Sequence, residues 1–426
     1  MKSRAPWIFT ASVILVAISS FNSVHADDVP FRHGVGVHRP LNWASVKPTD
    51  PTHYDWPPFA SAGHHISDAI IGNVRGAGLD FVRLTVDPGP FLQMTGQHRQ
   101  DLDQLLLTEI HRFRSRGIGV VVNFHSNSHV AQFRPEAILT SAESPLFKAY
   151  TVEMSRVAGV LNGLNDPGIA FEPVNEPPAG YDAASAARWQ TMMEELYRAV
   201  RNTAPNLLIV VTGAQGGSFR GLKLLDPSPF LDGNVMYSFH YYEPHLFTHQ
   251  GVVSSDRRAA FWRDMRDLPY PPPRDMKKIA VREAQERIDA DASHSAVEKV
   301  ILDGVARSAI ETYFDEGWNA NTVDAVFDQV AAWASRYKID PHRILLGEFG
   351  ATRADPPSLA GDTARAMWLH DVRCAAERHG FAWSIWELNG EGGMAIVTNM
   401  NSDDLDPITL KALGLTPDGK KSGCDL

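Results

Sequence analysis

Residues 169–177, IAFEPVNEP, form a mostly apolar run that ends in two polar residues, Asn175 and Glu176, and a proline. The length and composition of this run predict a buried β-strand whose carboxyl end carries the polar pair. Seven further runs of this kind occur along the chain: HGVGVH at 33–38, FVRLTV at 81–86, GVVVNFH at 119–125, LLIVVTG at 207–213, VMYSFHYY at 235–242, ILLGEFG at 344–350 and FAWSIWEL at 381–388.

The segments between these runs place apolar residues three and four positions apart, as in LDQLLLTEIHRFRSRG at 102–117. This spacing predicts amphipathic helices. Eight strands that alternate with helices predict an α/β fold with a parallel sheet, and this number favours a closed (β/α)8 TIM barrel over an open doubly wound sheet.

The connection between the sixth and seventh predicted strands, residues 243–343, is too long for one helix. It contains the proline-rich DLPYPPPRD at 267–275 and two helical patterns, around 275–314 and 320–337. We expect the second pattern to be the sixth barrel helix. Residues of about 250–318 would then form an extended helical insertion over the mouth or side of the barrel.

The first 26 residues have the pattern of a secretory signal peptide. Lys2 and Arg4 precede an apolar stretch at 7–18, and VHA at 24–26 is a small-x-small cleavage pattern. We expect the mature chain to begin at Asp27 and to form a single domain over 27–426. No later stretch is long and apolar enough to cross a bilayer, so no membrane contact is expected after cleavage.

The composition limits the class of ligand. The chain has 426 residues, 44% of them hydrophobic, and can therefore bury a large core. It carries 50 acidic against 40 basic residues and no basic stripe, which argues against nucleic acid as a partner. A neutral ligand fits this charge better than a polyanion.

The chain has two cysteines, Cys374 in a helical pattern and Cys424 near the C-terminus. Two interpretations are open for an exported protein: a disulfide that holds the tail, or two free thiols.

Polar and aromatic side chains collect at the ends of the predicted strands. In a TIM barrel all these ends meet at one mouth, where catalytic groups lie. Two carboxylates there, Glu176 on the fourth strand and Glu348 on the seventh, predict glycoside hydrolysis, in which one group protonates the leaving oxygen and the other attacks the sugar or activates water. The other residues at these ends are Arg83, Asn123, His125, Asn175, His240, Tyr242, Trp386 and Glu387.

Four motifs at these strand ends resemble glycoside hydrolase family 5, the cellulase-type family in the clan of retaining (β/α)8-barrel glycosidases. They are VNEP at 174–177, SFHYYEP followed by HLFTHQG at 238–251, LLGEFG at 345–350 and WSIWELNGEGGM at 383–394. The resemblance covers nearly all of the chain after residue 26, with the 250–318 stretch covered least.

By this resemblance Glu176 is the general acid/base and Glu348 the nucleophile. Arg83 and Tyr242 would keep Glu348 ionised and oriented, and Asn175 would bond the 2-hydroxyl of the sugar under attack. The other substrate-binding residues that the resemblance implies are His125 and His240, which would line the same subsite, and Trp386, an apolar platform for the sugar ring.

Glu172 lies four residues before Glu176 on the same predicted strand, so it faces the same way but lies deeper in the barrel. A buried carboxylate needs a partner. Arg83 and His125 are the candidates, and we expect Glu172 to have a structural role.

Other chemistries fit the sequence less well. GGSFRG at 216–221 misses the serine-hydrolase elbow by one place. His33 and His38 are five apart and lack the His-x-His of a barrel metallohydrolase. GVGVHR at 34–39 lacks the third glycine of a dinucleotide-binding loop. We therefore expect no metal ion and no cofactor.

The sequence thus predicts a secreted or periplasmic endo-β-glucanase that acts, as a monomer, on β-linked oligo- or polysaccharide by double displacement. Two alternatives use the same cleft. A transglycosylase would pass the glycosyl unit to another sugar instead of water, and a carbohydrate-binding barrel would keep the cleft without turnover. Further aromatic subsites are expected at Trp43, Trp56, Phe219, and Phe247 or Trp262.

Overall fold

The computed structural model describes residues 30–424, apart from 179, 255, 256, 354, 356, 391, 400, 418 and 421. The predicted signal peptide, residues 1–26, lies outside the described residues. Within them, the helices are all too short or too polar to traverse a lipid bilayer.

Eight parallel strands close into a barrel, as predicted, in the order β1-β10-β9-β8-β7-β6-β5-β4. A two-stranded antiparallel ribbon, β2 with β3, lies in the loop after β1. The strands are β1 His33–Leu41, β2 Val46–Lys47, β3 Asp50–Tyr54, β4 Phe81–Val86, β5 Gly119–Phe124, β6 Ile169–Glu172, β7 Leu208–Thr212, β8 Val235–His240, β9 Ile344–Phe349 and β10 Ala382–Ile385.

Helices connect the barrel strands and cover their outer faces. Outward residues of the strands, such as Val82, Leu84 and Val122, belong to the main core that the helices bury. The α-helices are α1 Asp68–Gly76, α2 Pro88–Gln93, α3 Gly96–Arg114, α4 Pro135–Ile138, α5 Pro145–Asn162, α6 Ala183–Thr203, α7 Phe219–Leu224, α8 His245–Thr248, α9 Lys277–Ala290, α10 Ala296–Glu316, α11 Ala320–Arg336, α12 Leu359–Arg378 and α13 Pro407–Ala412. Short 3₁₀ segments are Ala62–His64, Ala131–Phe133, Ser228–Phe230, Arg257–Asp264, Arg274–Met276 and Pro341–Arg343.

The inside of the barrel changes from apolar to polar along the strands. Side chains alternate between the two faces of a strand, so every second residue points inward. In β4, β5, β6 and β8, the inward residue two positions after the apolar layer is a buried polar group, so a polar layer lies towards the carboxyl ends. The apolar layer includes Phe81, Val121, Ala170, Met236 and Leu345, and the polar layer Arg83, Asn123, Glu172 and Ser238.

The insertion between β8 and β9 contains two helices where the sequence predicted one pattern over 275–314. α9 and α10 pack against each other, and residues 291–295 separate them. The prediction of one pattern was wrong because Ser295 begins a new helix, with a capping box that it forms with Glu298. The second pattern is confirmed as α11, which packs against α7 and α12 as the sixth barrel helix.

A disulfide between Cys374 and Cys424 ties the tail to α12. Their Cα atoms are 5.5 Å apart, within the usual range for a disulfide. The structure thus decides between the two interpretations of the cysteines.

Candidate active site

Seven of the eight side chains that the sequence assigns to the site lie at or just beyond the carboxyl ends of the barrel strands, and Arg83 lies in the middle of its strand. They are Arg83 in β4, His125 after β5, Asn175 and Glu176 after β6, His240 and Tyr242 at the end of β8, Glu348 in β9 and Trp386 after β10.

Arg83 connects the acidic and amide groups of the site. Its fully buried guanidinium donates from Nε to Glu172 Oε2, from Nη1 to Glu348 Oε1 and from Nη2 to Asn175 Oδ1, each at 2.6 Å. Burial alone would lower the pKa of Arg83, but the charges of Glu172 and Glu348 outweigh it and raise that pKa. The expected pairing of Glu172 is therefore with Arg83, and His125 contacts Asn175 instead.

Glu348 faces into the barrel because β9 contains a bulge. Leu345 points inward, so strict alternation would turn Glu348 outward. Leu346 and Glu348 instead pair with successive residues of β8, which leaves Gly347 as the extra residue. A Cβ on Gly347 would lie 2.4 Å from a side-chain oxygen of β8, so no larger residue fits there without a shift.

The carboxylate of Glu348 is buried and has two donors. Arg83 Nη1 donates to Oε1, and the Tyr242 hydroxyl donates to Oε2 at 2.9 Å. Burial, together with the charges of Glu348 and Glu176, raises the pKa of Tyr242 well above its usual value. The phenol therefore stays protonated and remains a donor to the carboxylate.

Glu176 lies in a more open environment. Its side chain is 42% exposed, and Oε1 is 2.8 Å from His240 Nδ1. Burial would lower the pKa of His240, but the charges of Glu348 and Glu176 raise it overall. One oxygen of Glu176 and one of Glu348 lie within 4.8 Å of each other. The two carboxylates therefore lie close together in different environments. Glu348 is bonded to the buried Arg83, whereas Glu176 is exposed to solvent beside the imidazole of His240.

Asn175 is oriented by two neighbours. Its Oδ1 accepts from Arg83, so its Nδ2 faces His125 Nε2, 3.1 Å away. Burial lowers the pKa of His125 well below its usual value, and a neutral imidazole can accept at Nε2 from the amide. His125 also stacks on Trp386, with ring centroids 5.7 Å apart.

Two further residues belong to this site, and sequence reasoning gave them no role in it. The ring of His38 contacts the rings of His125 and Trp386, with centroids 5.2 and 5.1 Å apart. Burial lowers the pKa of His38 to about 4. Glu387 follows Trp386 and is 3% exposed. Burial, and next the charge of Glu348, raise the pKa of Glu387 to about 8. The signal that could have found His38 is its place at the end of the first predicted strand.

An open cleft of about 640 Å³ extends from Glu176 along the barrel mouth, and Trp43 lines it. Trp43 is 45% exposed, as an aromatic subsite requires. Phe219 and Phe247 are buried, so the expectation that they form subsites was wrong: they pack inside the protein. Trp56 stacks on His98, and Trp262 lies beside His245 and His249.

The profile of the family described as Cellulase (glycosyl hydrolase family 5) matches residues 44–392. The chain belongs to glycoside hydrolase family 5. The family match spans all barrel strands but β1 and confirms the resemblance of the strand-end motifs.

This family 5 chain is similar to two curated endoglucanases over about half of its length. Endoglucanase 3 of Fibrobacter succinogenes is 23% identical over 223 residues, which are 52% of this chain and 29% of the relative. Endoglucanase C of Acetivibrio thermocellus is 26% identical over 206 residues, 47% of this chain and 57% of the relative. The chain thus spans less than two thirds of the length of either relative.

Solved structures of family 5 share the fold over most of this chain. Cel5A of Thermotoga maritima in complex with cellobiose has a TM-score of 0.61 and 17% identity, over 92% of this chain and 100% of that chain. A family 5 xyloglucanase from Paenibacillus pabuli has a TM-score of 0.61 and 14% identity, over 90% and 98%.

Proposed function

We propose that this family 5 chain is a retaining endo-β-glucanase that hydrolyses β-linked glucan by double displacement. The observation that carries the proposal is the close approach of Glu176 and Glu348, whose nearest oxygens lie within 4.8 Å. Carboxyl groups about 5–5.5 Å apart suit a covalent intermediate, whereas inverting enzymes need about 6.5–9.5 Å for a water.

In the first step, Glu348 attacks the anomeric carbon while Glu176 protonates the departing oxygen. The attack requires an ionised carboxylate, which the hydrogen bonds from Arg83 and Tyr242 favour. The acid requires access to the leaving group, and Glu176 is the more exposed of the two carboxylates. The bond to the leaving sugar breaks as the bond to Glu348 Oε forms.

In the second step, Glu176 takes a proton from water, and the oxygen of that water displaces Glu348 from the sugar. His240 lies 2.8 Å from Glu176 and 3.6 Å from Glu348, so it responds to the charge of both groups. As the negative charge moves from one carboxylate to the other, His240 holds the acid/base in place.

Asn175 bonds the 2-hydroxyl of the sugar under attack. Its amide is held by Arg83 on one side and His125 on the other, so it needs little reordering when the substrate binds. Trp386 offers the sugar ring an apolar face. The rings of His125 and His38 pack against the indole ring of Trp386 and support it.

The substrate class rests on the relatives. Both curated relatives are named endoglucanases, and the Thermotoga maritima structures contain cellobiose and mannotriose. A β-1,4-linked glucan is the substrate that these names support best, with xyloglucan and mannan as the nearest competitors.

We further propose that the chain is exported after cleavage before Asp27 and acts as a monomeric single domain over 27–426. The intact mass of the protein recovered outside the cytoplasm tests the cleavage, and light scattering tests the oligomeric state. A mass that retains residues 1–26 would contradict the export proposal.

The deciding experiment measures reducing-sugar release from soluble β-glucans, xyloglucan, mannan and xylan by the protein from Asp27, beside its Glu348→Gln variant. Release from a β-glucan by the parent protein alone supports the proposal. Larger oligosaccharides formed from short ones, without net release, would indicate a transglycosylase. Binding without release or transfer, by folded protein, would indicate a carbohydrate-binding barrel.

A further inference from the structure

The insertion contains a second cluster of acidic and imidazole groups, away from the cleft. Asp264 ends the 3₁₀ segment Arg257–Asp264, and Asp291 and His294 lie in the link between α9 and α10. One oxygen of each aspartate and one nitrogen of the histidine lie within 4.8 Å of one another. Two elements that are separate in the chain thus bring three possible metal ligands together.

The possible ligand atoms of this cluster lie close together, but no hydrogen bond joins Asp264 Oδ2 and His294 Nε2. His294 Nε2 is 3.5 Å from Asp264 Oδ2 and 3.4 Å from Asp291 Oδ2. Asp264 Oδ2 and His294 Nε2 are buried, and neither has a hydrogen-bond partner among the described residues. The side chain of Asp264 is 6% exposed. A buried carboxylate oxygen without a donor is costly, and a bound cation would remove that cost.

The spacing fits ligands around one small ion. Ligand atoms about 2.0–2.1 Å from a tetrahedral Zn²⁺ lie about 3.3–3.4 Å from each other. The active-site trio of Glu176, His240 and Glu348 differs, because His240 Nδ1 is 2.8 Å from Glu176 Oε1, which is a hydrogen-bond distance.

The cationic groups around the cluster leave one aspartate oxygen without a hydrogen bond. Arg263 Nη2 lies 3.2 Å from Asp291 Oδ2, and the other oxygen of Asp291 accepts from the Ser293 amide. Arg287 donates to the main-chain carbonyl of Asp264 and not to its carboxylate. Arg263 and Arg287 act on the carboxylate of Asp264 through their charge, but among the described residues none donates a hydrogen bond to its Oδ2. A ligand oxygen has more than one lone pair, so Asp291 Oδ2 can keep Arg263 and still bind an ion.

We propose that Asp264, Asp291 and His294 form a Zn²⁺ site, with water as the fourth ligand, that joins the 3₁₀ segment to the α9–α10 link. An imidazole nitrogen with two carboxylates suits zinc, whereas Ca²⁺ and Mg²⁺ prefer oxygen ligands alone. The site holds two segments of the insertion against each other and lies outside the catalytic machinery.

The test is calorimetric titration of the chelator-treated protein from Asp27 with Zn²⁺. The proposal expects one Zn²⁺ site per chain. His294→Ala and Asp264→Asn should each lower the affinity for Zn²⁺ by about tenfold or more. His342→Ala is the matched control, because His342 lies 3.7 Å from the single carboxylate of Asp340. Glu348→Gln controls for binding at the active-site trio. Both controls should bind Zn²⁺ as the parent does.

A second measurement keeps the proposal testable if a variant does not fold. Co²⁺ added to the parent protein should produce the strong visible bands of tetrahedral cobalt, and excess Zn²⁺ should abolish them. Absence of Zn²⁺ binding, affinity unchanged in folded His294→Ala, or loss of the site in Glu348→Gln would overturn the proposal. Weak octahedral cobalt spectra in the parent would overturn it as well.

Discussion

Replacement of Glu172 by glutamine separates the structural carboxylate of the barrel from the catalytic pair. Glu172 is fully buried and accepts from Arg83 Nε at 2.6 Å, from Arg83 Nη2 at 3.1 Å and from Thr212 Oγ1 at 3.3 Å. Glutamine has nearly the same shape, but it removes the charge and turns an amide donor towards donors of Arg83. We expect Glu172→Gln to lower stability much more than turnover.

The size of the effect follows from the contacts that remain. Removal of one partner of a buried ion pair costs about 3–5 kcal/mol. Arg83 keeps Glu348 and Asn175, so the lower limit applies, about 3 kcal/mol. An unfolding entropy of about 2.1 cal/mol/K per residue is about 0.8 kcal/mol/K for about 400 residues, and the melting temperature should therefore fall by about 4 °C. Because Arg83 Nη1 still donates to Glu348, kcat should stay within about tenfold of the parent value.

The assay pairs calorimetric melting with initial rates on the best polymer, for Glu172→Gln beside Glu176→Gln. The Glu176 side chain is 42% exposed, so its replacement should leave the melting temperature nearly unchanged while turnover is lost. An unchanged melting temperature for Glu172→Gln would refute the stability argument. Loss of all turnover by folded Glu172→Gln, with turnover kept by Glu176→Gln, would reverse the assignment of the two glutamates.

Four other predictions concern the catalytic pair, a buried acid and the tail. Glu348→Ala should lose turnover and recover part of it with azide as an α-glycosyl azide, and a β-product would contradict the nucleophile assignment. Glu176→Ala should slow polymer cleavage far more than hydrolysis of aryl glycosides with activated leaving groups; equal losses on both would argue against an acid role. Because the pKa of Glu387 is raised from 4.5 to about 8, its contribution to stability is complete below pH 4.5 and is lost as the pH rises through about 8. Glu387→Gln should remove this fall in the free energy of unfolding, which is several kcal/mol at most. Urea unfolding at pH 5 and pH 8 measures it, and an equal change in unfolding free energy between the two pH values for parent and variant would disprove the prediction. The Cys374–Cys424 disulfide spans 50 residues, for which chain entropy gives about 4 kcal/mol, so the double serine variant should melt several degrees lower, and equal melting temperatures would count against that value.

Much of the fold was predictable because its determinants are local. A buried parallel strand is a short apolar run, and eight such runs alternate with helical patterns. The rule that strand ends meet at one mouth places Glu176, His240 and Trp386 in one site from the sequence alone. α11 was also predicted at nearly its observed bounds.

The rest depended on how distant strands meet. Alternation along β9 would turn Glu348 outward, and only the bulge at Gly347, which exists in the pairing with β8, turns it inward. Arg83 could have paired with either of two acids, and the structure pairs it with both. Phe219 and Phe247 look like surface aromatics in the sequence, yet both are buried.

The sequence by itself determined the strands, the barrel and the residue types at its mouth, because periodicity and composition act within a few residues of the chain. Only the tertiary structure decided that Glu348 is buried on Arg83 while Glu176 faces solvent beside His240. Burial and electrostatic environment are properties of groups far apart in the chain, so they arise when the barrel closes.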